Sequence, residues 1–104
     1  MSPRIAIDQP RIAAFCREWR IAKLELFGSV LRDDFGPESD VDVLVSFERG
    51  STWSYLDLVR MENELSEKLG RRVDLVERAA VEASDNYIRR REILRSAEAL
   101  YAAG

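Results

Sequence analysis

The sequence predicts an α/β (α+β) fold, with a small mixed β-sheet of three to four strands and helices packed mainly on one face. Three observations carry this. Ile21 to Phe27 and Val41 to Phe47 alternate along the chain with period two, the spacing of half-buried strands. Ile12 to Trp19 and Tyr55 to Leu69 instead repeat apolar residues every three to four positions, the spacing of a helix face. A short strand-like run, Arg72 to Val76, follows the longer helical stretch, and strands alternating with helices pack most simply as a layer of helices on a sheet.

The elements follow in order. Asp8 and Pro10 form a helix-start signal, and Ile12, Phe15, Cys16 and Trp19 make the buried stripe of a first helix reaching about Arg20. In the first strand Leu24 and Leu26 oppose Lys23, Glu25 and Phe27, and Gly28-Ser29 breaks the pattern into a turn. The second strand sets Val41, Val43, Val45 and Phe47 against Asp42, Leu44 and Ser46. Ser51 or Thr52 is expected to cap a long helix with Tyr55, Leu58, Met61, Leu65 and Leu69 in the core, stopped by Gly70. After the third strand, Ser84 or Asp85 is expected to cap a last helix carrying Tyr87, Ile88, Leu94, Ala97 and Tyr101.

Composition bounds the chemistry. The chain has 104 residues, 46% apolar and 34% charged, with no repeat or low-complexity segment, and reads as one domain over 1–104. No apolar run approaches the ~20 residues that span a bilayer, and the N-terminal region has no signal-peptide pattern, so a cytoplasmic protein without a membrane partner is expected. The single cysteine, Cys16, excludes an internal disulfide and a thiolate metal cluster. The absence of histidine removes His-based acid/base catalysis and His-ligated zinc. A net charge of -3 argues against stable nucleic-acid binding, and the local run Arg89, Arg90, Arg91 and Arg95 reads as a solvated helix face or a contact for phosphate or an acidic partner.

The pattern breaks at two aspartates. Asp42 stands between Val41 and Val43, and Asp74 between Val73 and Leu75, although strands disfavour aspartate. Period two places Asp40 and Asp42 on one face, where two carboxylates ~5 Å apart repel by about 3 kcal/mol at an effective dielectric of ~20. A cation should balance them. Arginine could do so, but an oxygen-only ligand set suits a hard ion such as magnesium. The plainer alternative makes Asp40 a turn residue and Asp42 a solvated edge-strand charge. Upstream, Gly28 and Ser29 leave a strand and enter a turn whose amides and hydroxyl can receive phosphate oxygens. The joint arrangement of Gly-Ser, a ten-residue spacer, the aspartate pair and a later strand aspartate favours a metal–phosphate site over that alternative.

These residues resemble the minimal nucleotidyltransferases of the polymerase-beta superfamily, whose signature is Gly-Ser, a spacer, Asp-X-Asp and a later strand carboxylate. Here it reads Leu26-Phe27-Gly28-Ser29, then Asp40-Val41-Asp42, then Val73-Asp74-Leu75. The tail Asn86 to Arg95 is similar to the branch that serves as antitoxin in HEPN/MNT pairs. The resemblance implies the nucleotidyltransferase fold and a magnesium-dependent protein adenylyltransferase. Asp40, Asp42 and Asp74 would be its catalytic and metal-holding residues, with two ions in place. Gly28, Ser29 and, secondarily, Arg32 would bind the nucleotide. It further implies ATP as donor, a tyrosine of a HEPN-domain ribonuclease toxin as acceptor, and a hetero-oligomer with that toxin. Two alternatives are a non-catalytic antitoxin that occludes the toxin, and a transferase acting on a small molecule. Asp33, Asp34, Asp57, Glu62 and Glu64 are expected to be solvated surface charges.

Overall fold

The structure, a computed structural model, describes residues 7–28, 36 and 39–103. The elements are α1 (Gln9–Glu18), β1 (Ile21–Phe27), β2 (Val41–Phe47), α2 (Tyr55–Leu69), β3 (Val73–Glu77), α3 (Arg78–Glu82), α4 (Tyr87–Ser96) and β4 (Glu98–Ala102). The strands form one mixed sheet in the order β3-β2-β1-β4. β1 pairs antiparallel with β2 and β4, while β2 and β3 run parallel. That parallel pair needs a long crossover, and α2 supplies it.

The main core lies where α1 and α2 cover the sheet. Ile12, Phe15 and Cys16 of α1 and Met61, Leu65 and Leu69 of α2 meet Leu24, Leu26, Val41, Val43, Val45 and Val73. A bulge between Ile21 and Lys23 turns Ile21 onto this face too, against the simple alternation. Cys16 is fully buried there, and burial pushes its thiol up to about 12, so it is inert packing. The opposite face carries a smaller cluster, in which Phe27 and Leu44 pack against Val81 of α3 and Ile93 of α4.

Several expectations are corrected. The last helix ends at Ser96, and Glu98–Ala102, with Tyr101 in it, is a fourth strand that pairs with β1 and buries Leu100 in the main core. The exposed edge of β1 needs hydrogen-bond partners, and this need overrides the helix preference of the Ala-rich tail. The cap of α2 is Ser54, not Ser51 or Thr52. Its hydroxyl accepts from the Asp57 amide (3.2 Å), and Asp57 accepts from the Ser54 amide (2.9 Å) in a reciprocal capping box. This cap holds the Asp57 carboxyl below the usual carboxylate range. Asn86, not Ser84 or Asp85, caps α4 through its side chain and the Arg89 amide (3.1 Å). Tyr55, expected in the core, is 78% exposed in the first turn of α2.

Glu62 and Glu64 are likewise not free surface charges. Glu64 accepts the indole N–H of Trp19 (2.6 Å), whose ring meets Trp53 edge-on with centroids 5.1 Å apart. Glu62 accepts the Leu75 amide (2.9 Å), and Ser66 accepts the Val73 amide (3.0 Å). β3 is an edge strand, so α2 uses these two side chains to occupy donors that a neighbouring strand would otherwise take.

Candidate active site

Sheet register builds the site. Antiparallel pairing sets Phe27 of β1 opposite Asp42 of β2, and parallel pairing sets Asp42 opposite Asp74 of β3. In-register neighbours on adjacent strands lie about 4.8 Å apart and point to one face. Here that face is the one carrying Leu44 and Phe27, away from the main core. Aspartate is tolerated in both strands because each stands at its strand's first turnout from the loops: Asp42 is half-buried and Asp74 exposed. Asp40 lies just ahead of β2 and is exposed.

Gly28 closes the row. It follows β1 with φ +77, a left-handed conformation, and a Cβ there would overlap Oδ2 of Asp42 and stand 3.3 Å from its Cγ. The carboxylate of Asp42 thus packs against bare backbone, and only glycine meets both demands. Ser29 and Arg32, expected to bind the nucleotide, lie outside the described residues, as do Asp33 and Asp34.

The approach to Asp40 is stapled to the start of β3. The Arg71 guanidinium Nη2 donates to the carbonyl oxygens of both Gly36 and Ser39 (3.0 Å to Ser39). Ser39 closes the turn, its amide donating to the Gly36 carbonyl (3.1 Å) while its hydroxyl accepts the Gly36 amide (3.0 Å). The Val41 amide donates to the Arg72 carbonyl (2.8 Å). Sequence reading missed Arg71. Its only signal was an arginine at a strand entry.

One pair further along the same face, Glu25 is buried and its Oε1 accepts from Arg78 Nη1 (2.5 Å), with Lys23 Nζ 3.6 Å from its other oxygen. Arg78 also reaches Glu82 (3.3 Å), and the bond to Glu25 raises its pKa further above the ordinary arginine value. This ion pair fixes α3 on the sheet. A glutamate on a strand covered on both sides was the missed clue.

Among the described residues, no three acidic side chains stand close enough to hold a metal ion between them. The arrangement is the Asp42–Asp74 pair with Asp40 at the entry to β2. Magnesium takes one or two carboxylates and completes its octahedron with water and substrate phosphate oxygens, so Asp42, packed against the bare backbone of Gly28, and Asp40 at the entry to β2 are oxygen donors of the kind that suit such an ion.

The sequence profile of the nucleotidyltransferase domain matches residues 12–97, a span that includes Gly28, Asp40, Asp42 and Asp74. The chain belongs to the nucleotidyltransferase domain family. Among its relatives, a Methanocaldococcus jannaschii protein named provisionally as a protein adenylyltransferase is 43% identical over 56 residues, covering 54% of this chain and 58% of that protein. The protein adenylyltransferase MntA of Thermococcus cleftensis is 36% identical over 63 residues, covering 61% of this chain and 62% of MntA. The matches thus span about three-fifths of the length of these curated relatives.

Several solved structures share the fold. A structure described provisionally as a minimal nucleotidyltransferase has a TM-score of 0.64 and 32% identity, covering 86% of each chain. A toxin–antitoxin structure with AMP-PNP has a TM-score of 0.68 at 18% identity, covering 93% of this chain and 75% of that one. The MNT antitoxin complex with a tri-AMPylated HEPN toxin of Shewanella oneidensis has a TM-score of 0.60 at 18% identity, covering 91% and 70%. The mixed sheet and flanking helices expected from the sequence match this fold. No helix among the described residues is long and apolar enough to cross a membrane.

Proposed function

We propose that the chain is a minimal, magnesium-dependent protein adenylyltransferase. It moves AMP from ATP to a tyrosine of a HEPN-family ribonuclease toxin, releases pyrophosphate, and so acts in the cytoplasm as the antitoxin that neutralises its partner. The observation that carries this reading is the register that sets Asp42 opposite Asp74 with Gly28 packed under the Asp42 carboxylate. The names of the relatives support adenylate transfer to protein, and the toxin complexes among the fold neighbours support the partner.

Asp40 and Asp42 would hold the magnesium, which when bound with ATP neutralises phosphate charge and favours in-line displacement at the α-phosphorus. Asp74, exposed at the same sheet end, is open to an incoming protein hydroxyl and accepts its proton as the phenol oxygen attacks. The new bond joins that oxygen to the α-phosphorus, the bond to the bridging oxygen of the β-phosphate breaks, and pyrophosphate leaves. Gly28 and Ser29 grip the leaving phosphates, so most of the rate gain is positioning and electrostatics.

The test is Asp42→Asn incubated with radiolabelled ATP, magnesium and the partner toxin. The amide keeps the shape and removes the ligand charge, so label on the toxin should vanish, and wild-type labelling would reject the reading. A second reading, occlusion of the toxin without catalysis, draws on the exposed apolar residues Tyr55, Leu56, Tyr87 and Ile88. Rescue of toxin-expressing cells by an Asp40→Asn/Asp42→Asn double variant at wild-type expression would favour it.

A further inference from the structure

We propose that the chain also modifies itself: with no toxin present, one copy transfers adenylate to the phenol of Tyr87 on a second copy. The inference rests on the adenylyltransferase reading above, which already makes a tyrosine hydroxyl the acceptor. The sequence holds three tyrosines, and the fold separates them. Tyr101 lies half-buried in β4 against the main core, where a second active site does not reach it. Tyr55 is exposed in the first turn of α2, but that turn carries Asp57, a further negative charge set before a site that is itself acidic. Tyr87 is 59% exposed at the first position of α4 and stands among cations.

Charge selects this tyrosine. Arg89, Arg90, Arg91 and Arg95 crowd α4 although the chain as a whole carries -3. The Arg90 guanidinium lies 5.4 Å from the Tyr87 ring centroid, and its Nη1 donates to the carbonyls of Ser84 (3.2 Å) and Glu82 (3.4 Å). Tyr87, Ile88, Arg91 and Arg95 share an open groove of about 280 Å³ with Glu92. Ile93 anchors a different flank of α4 on the sheet, so the groove faces outward and transfer runs between copies. The cationic face of α4 on one copy complements the sheet end of another, where Asp40, Asp42 and Asp74 stand and a triphosphate adds further negative charge. In the reaction the Tyr87 phenol oxygen bonds to the α-phosphorus of ATP and the bond from that phosphorus to the bridging oxygen breaks. Pyrophosphate leaves, and Asp74 of the catalysing copy takes the phenol proton. The phosphodiester that results keeps one negative charge, which suits the arginines around it.

Mixing two variants that cannot modify themselves tests this. Asp42→Asn keeps Tyr87 but loses a carboxylate on which transfer is proposed to depend, whereas Tyr87→Phe keeps the carboxylates and loses the acceptor. Intact-mass spectrometry tells the two apart. After incubation with ATP and magnesium, neither variant alone should gain an adenylate. The mixture should gain it on the Asp42→Asn copy only, and peptide fragmentation should locate it at Tyr87. Asp74→Asn serves as a second inactive acceptor if Asp42→Asn melts early. Arg91→Gln with Arg95→Gln, introduced into the acceptor copy alone, should slow its labelling about tenfold. Tyr87→Phe should label the partner toxin at the wild-type rate. Adenylate on Tyr55, self-labelling by Tyr87→Phe, labelling indifferent to both arginine changes, or a mixture left unlabelled while wild type labels the toxin would each overturn the proposal and leave the transferase reading intact. Labelling of Asp42→Asn by itself, or a wild type that labels neither itself nor the toxin, would sink the transferase reading and the proposal with it.

Discussion

Asp42 and Asp74 are cross-strand neighbours, set opposite one another by the parallel pairing of β2 and β3 although 32 positions apart in the chain. Such placement depends on α2, whose crossover makes the two strands parallel, and on the Glu62 and Ser66 bonds that hold the outer edge of β3 in register. A slip of one residue would turn Asp74 into the main core and Val73 out of it. The pair is therefore as well specified as the core itself.

Asparagine at each carboxylate position separates chemistry from folding. Asp40 and Asp74 are exposed and Asp42 is half-buried, so each amide should melt within a few degrees of wild type. Transfer of label from ATP should fall roughly 100-fold or more in each, the scale at which loss of one preorganised electrostatic group is felt. Excess magnesium should partly restore Asp40→Asn and Asp42→Asn, if these two positions hold the ion as proposed. It should leave Asp74→Asn low, because that residue is assigned to the proton. Identical magnesium dependence in all three would remove that division of labour.

Two glycines in the same backbone region make a matched comparison. Gly28 and Gly70 both have positive φ, +77 and +66, so alanine at either strains the backbone by about 1–2 kcal/mol, some 5–10 °C in a domain of this size. Open space surrounds the site of a Cβ at Gly70, whereas at Gly28 it meets Asp42. Gly70→Ala should lower the melting temperature and leave transfer intact below it. Gly28→Ala should add loss of activity at temperatures where the protein is folded. Equal activity in the two folded variants would show that the Gly28–Asp42 packing is not part of the site.

Much of this was readable from residue order. Period two placed β1 and β2 at their observed limits, and the aspartates in strands pointed to the edge where Gly28 and Asp42 meet. What failed was whatever depends on partners distant in the chain. Tyr101 continues an apolar helical pattern locally, but the unpaired edge of β1 draws it into a strand. Tyr55 lies on the α2 stripe, yet at the first position of the helix it remains in solvent. Glu62, Glu64 and Arg71 look like surface charges until the fold brings a β3 amide, an indole and two loop carbonyls to them. Periodicity reports burial, whereas the choice of hydrogen-bond partner is decided by tertiary approach.

Arg71 should behave as a positioning residue for Asp40. One planar guanidinium donates to two carbonyls of the loop before β2, a geometry that the ammonium of lysine does not reproduce. Arg71→Lys and Arg71→Gln should both leave α2 and the sheet folded, with melting temperatures down by only a few degrees. Each should raise the magnesium concentration needed for half-maximal transfer about tenfold, while the rate at saturating magnesium recovers most of its wild-type value. A fall in the saturated rate with unchanged magnesium dependence would instead place Arg71 in contact with the reacting groups.

The Glu25–Arg78 pair makes the opposite kind of prediction, one about stability. Glu25 is buried at 4% exposure, and Arg78 is its closest cation. Arg78→Ala would leave a carboxylate under α3 with only the longer Lys23 contact, a cost of about 2–3 kcal/mol. Replacing both partners by apolar residues, Glu25→Leu with Arg78→Met, removes the stranded charge and should recover most of that loss. Because the folded-state pKa of Arg78 is raised, its share of the stability is fully present below the ordinary arginine value and is lost only as pH rises through the higher folded one. Chemical denaturation between pH 7 and pH 10 should thus show a constant gap between wild type and Arg78→Ala. A gap that closes across this range would mean that the ion pair is not what holds α3 on the sheet.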